Sequence, residues 1–419
     1  MLSKKQICWK TWIIWGIANI FYLYEIILRV SPSVMTEELM LTFSATSTML
    51  GVLVSFYYYS YTVLQLPCGI VVDKIGPRNL LGGSTLLCVL GALMFAMAET
   101  TDVARLGRFL IGAGSACAFI SCLQIAASLF SEKYFAILTG ITNMMGTFGG
   151  LLGGYPVAKF VNAIGWQDTT KVLAAVGAVI ATVIFIVIPK KLKKRQQTEL
   201  TGHTSIVTTL GKLLSNRQII IPSIVSGLMY LTISVFAELW IVPFFMVKYG
   251  ITNETASIVA AVDFVGVAIG SILMAAFARK LKSYVKTIRL SAGALAGLFV
   301  ILIYVPAPFP AAAALVFAIG CLTGAQAINF TCVKNNASFE VSGTALAVSN
   351  CIVMLLGSIF QPIFGALLDK FWDGGIGTHG VRIYSEACYN KAMMLLPIGL
   401  AIACVLSSYI HETIHKEKQ

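Results

Sequence analysis

Gly69-Ile-Val-Val-Asp73-Lys74-Ile-Gly76-Pro77-Arg78-Asn79 decides how the rest of this chain is read. It is a short polar link, rich in glycine and charge, between two long apolar runs. Gly69 leaves room for a neighbouring helix to come close. Asp73 sits where a helix ends and can accept hydrogen bonds from the N-terminus of a facing helix, whose free N–H groups carry partial positive charge. Lys74 and Arg78 can pair with acids or with helix C-termini.

Outward from that link the same alternation recurs. Apolar runs long enough to cross a bilayer, which takes about 20 residues, lie at 9–34, 46–71, 78–98, 104–130, 135–160, 171–189, 218–246, 255–278, 287–306, 309–333, 342–368 and 392–410. These twelve spans are expected to be helices, because an isolated span must satisfy its own backbone hydrogen bonds. Barrel strands would alternate apolar and polar residues, and these runs do not. Composition agrees: 58% of the residues are hydrophobic and 11% charged, against roughly 25% charged in soluble domains. The fold class expected is an all-α membrane protein of twelve transmembrane helices.

The net charge of +12 comes from Lys and Arg in short loops, which points to membrane topology and not to nucleic acid. Most of these residues fall in loops after even-numbered spans or near the ends of the sequence, which places both termini in the cytoplasm by the positive-inside rule. The first run is too long for the apolar part of a signal peptide. The ten cysteines show no metal-ligand spacing and read as small buried hydrophobes. Residues 191–217 form a basic cytoplasmic linker between an N-terminal bundle, 1–190, and a C-terminal bundle, 218–419. The halves share faint repeats: Gly16, Pro32 and Met35 align with Gly227, Pro243 and Met246, and Asn143 and Gly150 with Asn350 and Gly357. A 6+6 plan with internal symmetry is typical of secondary transporters.

The Gly69–Asn79 link resembles the loop signature of the major facilitator superfamily, G-x-x-x-D-(R/K)-x-G-x-(R/K)-(R/K), departing only at Asn79. The resemblance covers the whole chain and implies two pseudo-symmetric six-helix bundles. It also implies a gating role for Gly69, Asp73, Lys74, Gly76 and Arg78, as a latch made in one conformation and broken in the other. The equivalent stretch of the second half, Ala275–Lys280, has Arg279 in place of the Asp, so gating there must work differently. Arg108-Phe-Leu-Ile-Gly112 resembles the family's R-x-x-x-G motif, whose Arg is buried beside helix 1. The glycines from Gly146 to Gly154, followed by Pro156, are similar to an antiporter motif but lack its central proline.

Ionisable residues inside spans are expensive and are therefore candidates for function. Glu25 and Arg29 lie four apart on one face of span 1. Arg29 can hold a substrate carboxylate and Glu25 a proton or an amine; alternatively they form an internal salt bridge shared with Arg108. Glu238 in span 7 has no basic neighbour in its own helix. A desolvated carboxylate without a partner binds a proton near neutral pH, as proton coupling requires; the alternative is a partner on another helix, such as Arg29. Asp263 in span 8 is a third coupling candidate. Tyr22, Tyr58, Tyr61, Gln124, Asn143, Trp240, Gln326, Asn329 and Asn350 are expected to complete a polar site, with interhelical hydrogen bonds as the plainer alternative.

These features together lead to a proton-coupled importer of a small polar nutrient, such as an amino acid, short peptide or organic anion, in a bacterial inner membrane. The resemblance implies a monomer. The other readings are an efflux antiporter of drugs or metabolites and a membrane receptor. No nucleotide-binding loop, metal cluster or nucleophile triad is present in the sequence, so no cofactor and no enzyme activity is expected.

Overall fold

The computed structural model describes residues 9–190, 206–338, 341–377 and 380–412; the side chains of 66, 69–74, 132, 133, 136 and 206–208 lie outside the described set. Among the described residues twelve helical spans appear in chain order: α1 (Trp9–Val30), α2 (Ser47–Ile75), α3 (Pro77–Ala96), α4 (Thr101–Leu129), α5 (Glu132–Gly153), α6 (Tyr155–Val187), α7 (Arg217–Tyr249), α8 (Asn253–Leu281), α9 (Tyr284–Tyr304), α10 (Phe309–Asn336), α11 (Ser342–Lys370) and α12 (Glu386–Tyr409). By length and composition, ten helical stretches pass as membrane spans, or eleven if the bent pair Thr36–Thr42 and Ser47–Gln65 counts as one. One of the ten, Ile137–Val187, is 51 residues long. At 1.5 Å per residue it is more than twice the thickness of a bilayer core. It folds back between Gly153 and Tyr155, which makes it two spans and the total twelve.

That turn corrects an expected boundary. The apolar run 135–160 does not form one helix, because Gly154 takes non-helical dihedrals (φ −87°, ψ −107°) and residues from Tyr155 onward begin α6. Helix α6 is itself broken at Gly165, where φ is +82°, a conformation that costs glycine little and other residues more. The linker region also holds a short helix, Ile206–Ser215. Two of the cysteines depart from the buried-hydrophobe expectation: Cys68 and Cys117 are joined as a disulfide, tying the end of α2 to the break in α4.

The bundle has two ends. The linker end carries the α2–α3 link, the end of α6 and the start of α7; Gly76 there packs on the Lys190 carbonyl. The far end carries 31–46, the α7–α8 link and 371–385. The apolar core of α7–α12 continues into α1–α6 chiefly at the far end, through Val34, Met35, Leu39, Leu50, Leu53, Val157 and Val161. Polar contacts between the halves are also made there: Asn253 donates to the Val34 carbonyl at 2.8 Å, and Asn162 to Glu254 at 3.1 Å. Large apolar side chains such as Ile186, Ile272 and Val63 stand out from the periphery, each at least 70% exposed. In lipid such a surface is solvated rather than sticky.

Candidate solute site

The buried charges of the two halves meet where α1 passes α7. Arg29 is in the last turn of α1, just before the turn Ser31–Val34 that Pro32 helps to start. Its Nη2 donates to Glu238 Oε1 at 2.6 Å and to the Tyr230 hydroxyl at 3.1 Å. The second carboxylate oxygen of Glu238 accepts from the Tyr58 hydroxyl of α2. Arg29 is 9% exposed and Glu238 1%. This is therefore a buried ion pair joining the halves, the kind whose geometry must be good to offset desolvation.

Local backbone structure sets the aim of Glu238. Residues Thr232–Trp240 wind as a π-helix, with the Ile241 N–H reaching back five residues to the Phe236 carbonyl. Such widened turns are rare and concentrate at functional sites. The widening brings Tyr230 and Glu238, eight residues apart, to within 3.5 Å.

Two further groups surround the pair. Arg108 of α4 donates to the carbonyls of Leu28 at 2.7 Å and Arg29 at 3.3 Å. It thus places a cation on the negative end of α1, and its guanidinium also lies 5.2 Å from the Tyr57 ring centroid. Glu25 accepts from the Tyr57 hydroxyl at 2.7 Å. The cluster holds two bases and two acids and is formally neutral.

The plainer alternative for α1, an internal salt bridge shared with Arg108, does not describe this arrangement. Among the described residues Glu25 forms no ion pair with Arg29, and Arg108 goes to backbone carbonyls rather than to an acid. Glu238, expected to lack a partner in its own helix, has Arg29 across the interface.

The remaining candidates are spread over the bundle. Tyr61 stacks on Tyr57 with centroids 5.8 Å apart. Tyr22 lies against Phe119 at 5.4 Å, with its hydroxyl beside Gly146. Trp240 is buried and stacked on Phe364 at 5.0 Å, on the wall of a pocket of about 250 Å³ at the far end. Gln326 donates to Ser226 of α7 at 2.8 Å, and Asn329 lies 3.9 Å from the Met229 sulfur of α7, so both serve α7–α10 packing. Gln124 and Asn350 are half-buried, and Asn143 is exposed. Asp263 is fully buried, and neither carboxylate oxygen has a hydrogen-bond partner among the described residues.

Of the gating candidates, Gly76 takes φ +77° at the start of α3, and Arg78 lies 5.8 Å from the Phe185 ring centroid. Gly69 and the side chains of Asp73 and Lys74 lie outside the described residues. Sequence reading missed Tyr230, whose only signal is a hydroxyl two turns before the acid. Tyr57, next to Tyr58, was not among the expected site residues either.

Comparison with known proteins bears on the family. A model described as Major Facilitator Superfamily matches residues 14–362. The uncharacterized transporter YybO of Bacillus subtilis is 26% identical over 278 residues, 60% of this chain and 62% of that protein. SauU of Cupriavidus necator, named as a probable sulfoacetate transporter, is 26% identical over 38% of this chain and 37% of its own. In both cases the match spans less than two thirds of the relative. Further relatives are named for nitrate, L-galactonate and multidrug resistance. Among solved structures, a bacterial homologue of the human lysosomal transporter Spinster, inward-facing and unoccupied, superposes with a TM-score of 0.78 at 16% identity, covering 97% of each chain. That likeness speaks for the fold, and the family match speaks for descent. The chain belongs to the Major Facilitator Superfamily.

Proposed function

We propose that the protein is a secondary transporter that imports a small anionic or zwitterionic solute, an organic anion or an amino acid, together with protons. The observation that carries this reading is the Arg29–Glu238 pair bridging the halves. Arginine offers carboxylates and related oxyanions a planar fork of donors. Glu238 occupies part of that fork. When Glu238 takes a proton, Arg29 is left uncompensated in a dry site, and the anionic end of a solute restores the balance. Tyr58 and Tyr230 then offer their hydroxyls to the solute. Release of solute and proton lets the pair re-form. One proton and one negative charge move together, so the step is neutral. Relatives named for sulfoacetate, nitrate and L-galactonate, all anions, support this class of solute.

Glu25 and Asp263 are the other acids in the proton pathway. The solute crosses by rocking of the halves about this site. The protein works as a monomer in the cytoplasmic membrane with both termini inside. A second reading, proton-driven efflux of drugs or metabolites, has the glycine-rich α5 and relatives named for multidrug resistance in its favour.

The test is uptake into proteoliposomes of labelled sulfoacetate, L-galactonate, nitrate and pooled amino acids, with and without an inward proton gradient. Uptake of one of them that follows the gradient and is lost in Glu238→Gln and Arg29→Met is expected. Uptake unaffected by Arg29→Met would refute the anchor. Silence across the panel, alongside raised drug tolerance of cells expressing the protein, would favour efflux.

A further inference from the structure

The end of α2 and the end of α11 carry one sequence pattern. Helix α2 closes with Gln65-Leu-Pro-Cys-Gly69-Ile-Val-Val-Asp73-Lys74, and α11 closes with Gln361-Pro-Ile-Phe-Gly365-Ala-Leu-Leu-Asp369-Lys370. Both read Q-x-x-x-G-x-x-x-D-K. The two helices lie side by side in opposite directions. The Cys351 thiol of α11 reaches the Thr62 carbonyl of α2 at 3.5 Å, and the Ser55 hydroxyl of α2 reaches Gln361 Oε1 at 3.4 Å. The end of each helix therefore meets the start of the other, and the pattern on α11 brings its aspartate toward the first turn of α2.

At the far end this meeting is made. Asp369 Oδ2 accepts the Thr48 backbone N–H at 2.9 Å and also the Thr48 hydroxyl. The first N–H groups of a helix have no partner within it and carry the positive end of its dipole. Asp369 thus caps α2 from the opposite half of the molecule. The cap is braced: Asp369 Oδ1 accepts from the Tyr384 hydroxyl and lies 3.3 Å from Arg382 Nη1, while the Tyr384 oxygen accepts the Ser47 N–H at 3.2 Å. Gly365 makes the approach possible, since a Cβ there would run into the Ser47 carbonyl and lie 2.9 Å from Thr48 Cα.

We propose that Asp369 is the gate latch of the far end, holding it shut in this state and releasing the start of α2 before that end can open. The proposal rests on the reading of the chain as a transporter whose halves rock, but it does not depend on which solute is carried. On this proposal the second-half counterpart of Asp73 lies at the end of α11, not in the stretch around Arg279, where the Asp is absent.

The test uses Ser33→Cys as a reporter in the full chain in lipid nanodiscs. Ser33 is fully buried at the far end and its hydroxyl has no partner among the described residues. The rate at which a membrane-impermeant maleimide modifies residue 33 is read by mass of the peptide that contains it. Asp369→Ala is expected to raise that rate about tenfold, since charge-assisted bonds to a helix end are lost. Asp369→Asn, which keeps an acceptor oxygen, falls between. Tyr384→Phe removes the brace and leaves Asp369 in place, so it raises the rate even if Asp369→Ala does not fold. Glu99→Gln, exposed in the α3–α4 link at the same end, leaves the rate unchanged. Reference rates in both Asp369→Asn and Tyr384→Phe overturn the proposal. An equal rise in Glu99→Gln also overturns it, because that marks general loosening.

Discussion

Breaking the buried pair from one side and from both should give different answers, and the difference can be worked out in advance. Arg29 Nη2 and Glu238 Oε1 are 2.6 Å apart, which puts the charge centres at roughly 4 Å and their attraction at about 4 kcal/mol for an effective dielectric of about 20. Removing one member of a buried pair costs about 3–5 kcal/mol, because the other charge is stranded. Glu238→Gln leaves Arg29 with Tyr230 and a weaker amide acceptor. Arg29→Met leaves Glu238 with the hydroxyls of Tyr58 and Tyr230. Each is expected to cost about 3–4 kcal/mol, and the double variant about the same as either alone, giving a coupling of about 3 kcal/mol. The assay is the free energy of reversible unfolding in mixed micelles, titrated with a denaturing detergent and followed by tryptophan fluorescence. A double variant whose loss equals the sum of the two single losses, within about 0.5 kcal/mol, would refute the pair as described.

Other outcomes follow from the same geometry. Arg108→Gln gives up the bonds to the Leu28 and Arg29 carbonyls and should destabilise the protein by about 2–3 kcal/mol, a charged-donor loss, measured in the same titration. Gly365→Ala forces a methyl group onto the start of α2 and should cost about 1–3 kcal/mol by overpacking, with faster labelling of a cysteine at position 33. Asp373, in the connection before α12, is held below the ordinary carboxylate range, first by the Ser385 hydroxyl and also by the Gly375 N–H. Because its native value is depressed, its contribution is full above the unfolded value of about 3.9 and fades as pH falls through the lower native one. The indole N–H of Trp372 is bonded to the Gly375 and Ile383 carbonyls of the same loop. Tryptophan fluorescence should therefore show an acid transition below about pH 4 that Asp373→Asn lacks.

The spans were legible because a bilayer imposes a single length on every crossing, and runs such as 342–368 answer it directly. Boundaries failed where a glycine, not a polar stretch, ends a helix. Residues 135–160 contain no polar stretch that would mark a turn near 154, and the backbone of Gly154 breaks them. The members of the central cluster were legible one by one, since a charge inside a span draws notice by its cost. Their pairing was less so. Glu238 takes its partner from 209 residues away, and nothing in its own helix marks Arg29 over another base. Tyr230 escaped because its place beside Glu238 depends on a widened helical turn, which has no signature in residue type. Asp369 escaped for a different reason: it stands at the end of a span, where a charge is ordinary, and only its bond to Thr48 across the halves separates it from an interfacial residue.

The widened turn of α7 also bears on how this chain can tolerate insertion and loss of residues. A π-turn holds one residue more than the regular helix around it. Deleting a single residue between 232 and 240 would let the segment relax to ordinary α geometry without breaking the span, and would leave its hydropathy almost untouched. Tyr230 and Glu238 would then stand seven residues apart, close to two turns of 3.6 residues, and would still share a face towards Arg29. A second deletion before Glu238 has no surplus residue to absorb it and would rotate the two flanks by about 100° relative to each other, parting Tyr230 from Glu238. A family member two residues shorter here would pass every test of membrane insertion and still present another site to its solute.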